Sequence, residues 1–305
     1  MENAHGSKLS IVIATHDRAD ALNRLIADLT PQLREGEHEL FIADNGTPDP
    51  SPLSPSTFPI AHIHDPRPGK CRMQNRAIAQ AHGEIVACLD DDLTVARDYV
   101  TQVIAFFEQH PEFDAMRGRI LAAENPSKVA GKLAPYLDLP IADDGNDVIE
   151  VRGVLGANMA FRAEALYQVG PFDERLGPGA AGHEEETEMS NRLRRAGYRI
   201  GYAPRAVAYH EVDAARADRS RFIRVAHERG FCRMIHERHS STDVLTKLVI
   251  ANVRMLVARV LRAPTSRIAR EERRLAIARG MYDGLRQLPP NSARASPIAT
   301  TTSGN

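Results

Sequence analysis

The sequence contains no tryptophan, is poor in aromatic residues (5% of 305) and holds three cysteines. Cys71, Cys88 and Cys232 are odd in number, far apart, and lack any CxxC or His-paired spacing. That excludes a disulfide scaffold and a zinc knuckle, and points to a reducing compartment. No stretch reaches the ~18 to 20 uninterrupted apolar residues of a spanning helix, and MENAHGSKLS has no basic start followed by an apolar run. The expectation is therefore a cytoplasmic protein without signal peptide or membrane span. An excess of one charge is also missing: 39 Lys plus Arg stand against 40 Asp plus Glu, net −1, so no polybasic nucleic-acid binder and no acidic tail protein is expected. With 43% hydrophobic and 26% charged residues the chain reads as globular, with a length that suits one large α/β domain plus an appendage, or two domains.

The neutral total conceals an asymmetry. Residues 1–210 carry 21 basic and 31 acidic side chains, whereas residues 211–305 carry 18 and 9, a net of −10 followed by +9. Within the acidic part, LSIVIA (9–14), ELFIAD (39–44), IAHIH (60–64) and EIVACLD (84–90) are short, β-branched-rich runs that read as strands. Between them, Leu22, Leu25, Ile26 and Leu29 recur at helical spacing, as do Met73, Ala77, Ile78 and Ala81. Alternating strands and helices build a mostly parallel sheet covered on both faces, with ligands bound at the carboxyl ends of the strands. Those ends carry Thr15, His16 and Asp17, then Asp44, Asn45 and Gly46, then Asp90, Asp91 and Asp92. TPDPSPLSPSTFP (47–59) is a loop on composition, 289–305 reads as a disordered tail, and no internal repeat is present.

Three adjacent aspartates repel one another unless a cation neutralises them, and all-oxygen ligands suit Mg²⁺ or Mn²⁺ bridging to phosphate. The competing reading is an acidic cap on a following helix, TVARDYVTQVIAFF. Gly153 and Gly156 in GVLGANMAFR suggest a close backbone approach to a ligand. A Gly/Pro-rich loop then delivers Glu184, Glu185, Glu186 and Glu188 to the start of a helix. Crowded carboxylates have raised pKa values suited to a general base, although an acidic first turn also simply caps a helix. His210 closes the strand-like PRAVAYH, as a ligand or as a structural histidine. Gly69, Lys70 and Arg72, ahead of a helix, are phosphate donors or a solvated basic edge.

Taken in order, LSIVIATHDR, FIADNGT, PGKCRMQNRAIAQAHGEIVACLDDD, GVLGANMAFR, GPFDERLG…EEETEMSNRLRRAGYRI and PRAVAYH resemble the family-2 glycosyltransferases of the GT-A fold, over about residues 8–212. The resemblance implies an α/β, GT-A-type catalytic domain over 1–212, a helical extension over 213–288 and the tail beyond. By the same resemblance Thr15 and Asp44 hold the base and ribose of a nucleotide. Asp90, Asp91 and Asp92 form the DXD element for metal and diphosphate, with Asp92 the direct metal ligand and His210 a second. His16 stands at the family's aromatic position in its opening PTYN, here ATHD. Glu186 stands where the family has the aspartate of a Glu-Asp pair, which makes it the expected general base with Glu185 its rival. The reaction implied is an inverting transfer of a sugar from a UDP-, GDP- or dTDP-sugar to a hydroxyl of a sugar, lipid-linked or small-molecule acceptor, with Mn²⁺ or Mg²⁺.

Two further readings compete. A sugar nucleotidyltransferase also uses a parallel sheet and metal-binding acids, but ATHDRAD lacks the glycines of its phosphate loop. A non-catalytic nucleotide-sugar-binding or scaffold protein has no use for such costly acidic clusters. A dehydrogenase is disfavoured because no GxGxxG follows the first strand. In the basic region, DVLTKLVIANVRMLVARVLR (243–262) is too charged to span a membrane and too apolar to be fully exposed. It is expected to pack on the catalytic domain or a second chain as a homodimer, or to lie on an anionic membrane surface at the inner face.

Overall fold

The computed structural model describes residues 7–288, so the expected tail at 289–305 lies outside the described residues. The first half of the chain forms β1 (Leu9–Thr15), α1 (Ala19–Leu29), β2 (His38–Asp44), β3 (Ala61–His64), α2 (Lys70–Ile78) and β4 (Ile85–Asp90). β5 (Leu93–Val95), α3 (Tyr99–Gln109), β6 (Ala115–Ala122), the short α4 (Pro126–Ala130) and β7 (Ile149–Glu150) follow. Next come β8 (Asn158–Arg162), α5 (Ala163–Val169), α6 (Glu185–Arg195) and β9 (Ile200–His210). All the strands join one sheet in the order β3-β2-β1-β4-β8-β6-β9-β5, with β7 beside β9. β3, β2, β1 and β4 are parallel, as are β6 and β9, while β8, β5 and β7 run antiparallel to their neighbours.

Period-two alternation sorts the strand residues between two apolar layers. Leu9, Ile11 and Ile13 of β1, Leu40 and Ile42 of β2, and Ile85, Ala87 and Leu89 of β4 pack under α1 and α3. Val12, Phe41, Val86 and Cys88 face the opposite layer, where they meet Met73 and Ala77 of α2, Leu166 of α5, and Met189 and Leu193 of α6. The cysteines are buried members of such packing and none is paired.

The helix expected directly after the aspartates begins only at Tyr99, because Leu93–Val95 forms β5 instead. The three aspartates are therefore not in a helical first turn. β5 pairs antiparallel with β9 so that Leu93 lies opposite His210, which carries Asp92 to the imidazole from across the sheet. Between β6 and β9 the register jumps after Gly118, and Asn158 fills the gap: its Nδ2 donates to the carbonyls of Ala206 (3.0 Å) and Arg119 (3.2 Å), and its Oδ1 accepts from the Tyr99 hydroxyl (2.7 Å). A Cβ at Gly118 would stand 2.2 Å from that amide, so the bulge requires glycine.

The basic region folds as three helices, α7 (Arg219–His236), α8 (Ser241–Val260) and α9 (Thr265–Gln287). α7 and α9 cross so closely that a Cβ at Gly280 would lie 1.9 Å from the His227 carbonyl oxygen, and one at Gly230 would lie 2.0 Å from that of Ile277. α7 also docks on the part of the chain that builds the sheet, where Cys232 and Ile235 pack on Leu176 and Phe222 meets Tyr136 edge to face at 5.7 Å. Among the described residues no helix is long and apolar enough to cross a membrane.

Candidate active site

The strand ends at β1 and β4, the 153–157 segment, the start of α6 and the first half of α7 enclose a cavity of about 440 Å³. It brings together Thr15, His16, Asp90, Asp91, Asp92, Glu185, Glu186 and His210 from well-separated parts of the sequence. A volume of this order suits a small-molecule ligand.

Each aspartate has its own set of partners, with Arg18 shared between Asp91 and Asp92. Asp90 accepts a hydrogen bond from Lys70 Nζ at 2.6 Å, and Lys70 Nζ is also 3.4 Å from Glu185 Oε1. Burial raises the Asp90 pKa against the pull of Lys70; burial likewise works against the lysine's charge, but Asp90 and Glu185 hold it well above the ordinary value. Asp91 is buried, accepting from the Thr15 hydroxyl at 2.7 Å and from Arg18 Nη1 at 2.9 Å, and burial again raises its pKa. Asp92 accepts from Arg18 Nη1 (3.0 Å) and Arg216 Nη1 (3.1 Å), with His210 Nε2 at 3.3 Å. Despite burial, His210 with the two arginines holds Asp92 well below the usual carboxylate range, and Asp92 in turn raises His210 against its own burial.

The donor set fits a hard divalent ion that keeps open positions for phosphate. His210 Nδ1 is 2.8 Å from the Glu211 carbonyl, which fixes Nδ1 as the N–H and turns Nε2 toward the Asp92 carboxylate. A ring nitrogen and a carboxylate facing each other at this distance need a proton or a cation between them. Among the described residues no group of three or more His, Cys, Asp or Glu side chains is arranged to hold a metal ion by itself.

The glutamates divide by environment. Glu184, buried at a positive φ of 75°, is bound by Arg233 of α7 at 3.3 Å with His236 at 3.8 Å. Glu188 pairs with Arg192 at 2.8 Å. Glu185 is buried beside Lys70, while Glu186 is half-buried on the cavity wall, where its own backbone N–H and the more distant charge of Lys70 act on its carboxylate. Burial, then the charge of Glu185, raise the Glu186 pKa to about 8. Gly156 borders the cavity near Lys70 and Glu186, whereas Gly153 meets Ser190 of α6.

Asp44 does not line the cavity. It is fully buried, and its carboxylate accepts from the backbone N–H groups of Gly46 (2.7 Å) and Ser51 (2.6 Å) and from His62 Nε2 (2.9 Å), so it organises the loop behind the wall. His16 borders the cavity with an exposed ring held by the Asn45 carbonyl at 2.8 Å. Sequence reasoning did not single out Arg18, Asp138, Arg216, Phe222 or Arg229, which complete the wall. Arg229 Nη2 binds Asp138 at 2.7 Å. The signal for the α7 arginines was the +9 charge of the C-terminal region, which contributes directly to this cavity.

The chain is 22% identical over 218 residues to the glucosyl-dolichyl phosphate glucuronosyltransferase of Haloferax volcanii, covering 67% of this chain and 69% of that protein. It is 27% identical over 213 residues to the pre-mycofactocin glycosyltransferase of Mycobacterium tuberculosis, covering 67% of this chain but only 42% of that one. The mannosyltransferase PcManGT of Pyrobaculum calidifontis, solved with GDP-Man and Mn²⁺, shares the fold with a TM-score of 0.52 at 17% identity, over 94% of this chain and 77% of that one. The family model described as glycosyl transferase family 2 matches residues 10–170, and the chain belongs to that family of glycosyltransferase enzymes.

Proposed function

We propose that this glycosyltransferase moves a sugar from a nucleoside-diphosphate sugar to an acceptor hydroxyl in one displacement that inverts the anomeric carbon. The observation that carries the reading is the cavity's polarity: Asp92 with His210 stands on one wall, and Glu186, with no ion pair among the described residues, stands on another. Asp92 and His210 would hold a divalent ion, and such an ion supplies charge neutralisation for the departing diphosphate. The mannosyltransferase of the same fold, solved in complex with GDP-Man and Mn²⁺, supports that choice. Arg18 and Arg216, now spent on Asp92, are positioned to bind phosphate oxygens once the carboxylate engages a cation. Lys70 Nζ lies 3.4 Å from Glu185 and occupies that carboxylate, while Glu186 takes the proton of the attacking hydroxyl. No covalent intermediate is required, and the wall contains no Ser-His-Asp or Cys-His arrangement among the described residues.

The reading is tested with paired variants. Because the base acts on the acceptor, Glu186→Gln is expected to keep donor affinity while lowering kcat by on the order of 10² to 10⁴-fold. Near-normal turnover in Glu186→Gln alongside inactive Glu185→Gln would transfer the role to the neighbour.

A further inference from the structure

α8 carries two apolar faces, and only one is covered. Val244, Ala251, Met255 and Ala258 are buried, with Ala251 and Met255 against Leu275 and Ala278 of α9. On the opposite side Leu245, Val249, Val253, Leu256, Val257 and Val260 are between 43% and 71% exposed. Their spacing of i, i+4, i+8, i+11, i+12 and i+15 places all six on one continuous stripe. Scattered exposed apolar residues are ordinary, but a stripe along a whole helix marks a binding surface.

The charges around the stripe identify its occupant. Arg259 lies in the last turn of α8, Arg262 in the turn that follows it, and Arg267 and Arg270 at the start of α9; all four are exposed and none has an ion-pair partner among the described residues. Beside the stripe a second cavity, of about 570 Å³, opens between α7, α8 and α9, with Leu256 and Arg259 on its rim. Its wall contains Arg219, Arg224, Arg259 and Arg279 against a single acid, Glu272, which Arg219 already binds. Arg224 lies 3.9 Å from Glu228, so Arg259 and Arg279 carry the wall's free charge, and with Arg262, Arg267 and Arg270 they leave a net positive margin; an apolar stripe beside such a margin is the arrangement of a helix lying in the headgroup region of an anionic membrane. A second copy of the chain on the same face would oppose this cationic margin with another of like sign.

We infer that α8 docks the protein on a lipid bilayer containing anionic headgroups, with Leu245 to Val260 entering the acyl boundary and the arginines meeting phosphate. The first half of α7 lies between this surface and the catalytic cavity. Arg219, Ile223 and Arg224 line the basic cavity, and Arg221, Phe222 and Val225 line the catalytic one, so the two sites are one helix apart. The inference does not depend on the identity of the transferred sugar.

Full-length protein should co-sediment with vesicles of mixed phosphatidylglycerol and phosphatidylcholine, release as salt is raised, and bind pure phosphatidylcholine vesicles at least tenfold less. Val253→Asp combined with Leu256→Asp, on an exposed face, should keep the melting temperature and lose vesicle binding at least tenfold; Arg259→Glu with Arg262→Glu should lose the preference for anionic lipid. Absence of binding to anionic vesicles at low salt would overturn the inference. So would undiminished binding by the aspartate variant, or a solution dimer that this variant converts to monomer, because the stripe would then belong to a second copy.

Discussion

Glu185 and Glu186 are neighbours in sequence with opposite surroundings. Lys70 Nζ lies 3.4 Å from Glu185, while among the described residues Glu186 forms no ion pair; burial, then the charge of Glu185, raise its pKa to about 8. As a base Glu186 acts only when ionised, so kcat/KM is expected to rise about tenfold per pH unit below 8 and to level above it. The same shift has a stability consequence of fixed sign. The folded state favours the protonated form, so this contribution is complete below the ordinary carboxylate range and is lost as pH rises through about 8. Melting curves of wild type and Glu186→Gln should therefore draw apart between pH 6 and 9, the wild type losing stability relative to the variant. A flat kcat/KM profile from pH 6 to 9, with parallel melting curves, would remove Glu186 from the role. His210 shows the complementary case, in which one backbone carbonyl, that of Glu211, decides which ring nitrogen faces Asp92.

Elements explain which parts of this arrangement could be read in advance. β1, β2 and β4 are apolar on both faces because helices cover both, and such runs stand out in a sequence; the helical spacing of Leu22, Leu25, Ile26 and Leu29 is equally plain. β6 was not anticipated because Arg117 and Arg119 interrupt its pattern, their charges met by Asp144 and Asp143 from a distant loop. β5 was absorbed into the following helix because a three-residue strand has no period of its own; its pairing with His210 is a long-range fact. The strand-end residues of the site were therefore legible, whereas the arginines that reach Asp92 from α7's approach and from α1's entry were not. The α7–α9 crossing is the most exacting contact of the C-terminal region. Gly280→Val would press a side chain onto the His227 carbonyl, and overpacking of this kind costs about 1 to 3 kcal/mol. A melting temperature lower by roughly 5 °C is expected, with a fall in kcat because α7 carries Arg233 on Glu184 and Arg229 on Asp138. Unchanged stability and turnover in Gly280→Val would show that the crossing does not support the site.

At the scale of the whole molecule, the acidic and basic parts of the chain complete one another. The acidic part supplies Asp90, Asp91, Asp92 and the glutamates, and the basic part returns Arg216, Arg221 and Arg229 to the same cavity. The catalytic cavity is therefore not finished by the sheet alone, although the family match ends at residue 170. We propose that this joint cavity binds a nucleoside-diphosphate sugar through a divalent ion held by Asp92 and His210. The most direct measurement is calorimetric titration of UDP-, GDP- and dTDP-sugars into the full-length protein, with and without Mn²⁺, in wild type and in Asp92→Ala. One nucleotide class is expected to bind wild type at least tenfold more tightly with Mn²⁺, and Asp92→Ala is expected to lose that gain while remaining folded. Equal affinity with and without the ion, or an Mn²⁺ gain that survives in Asp92→Ala, would contradict the account.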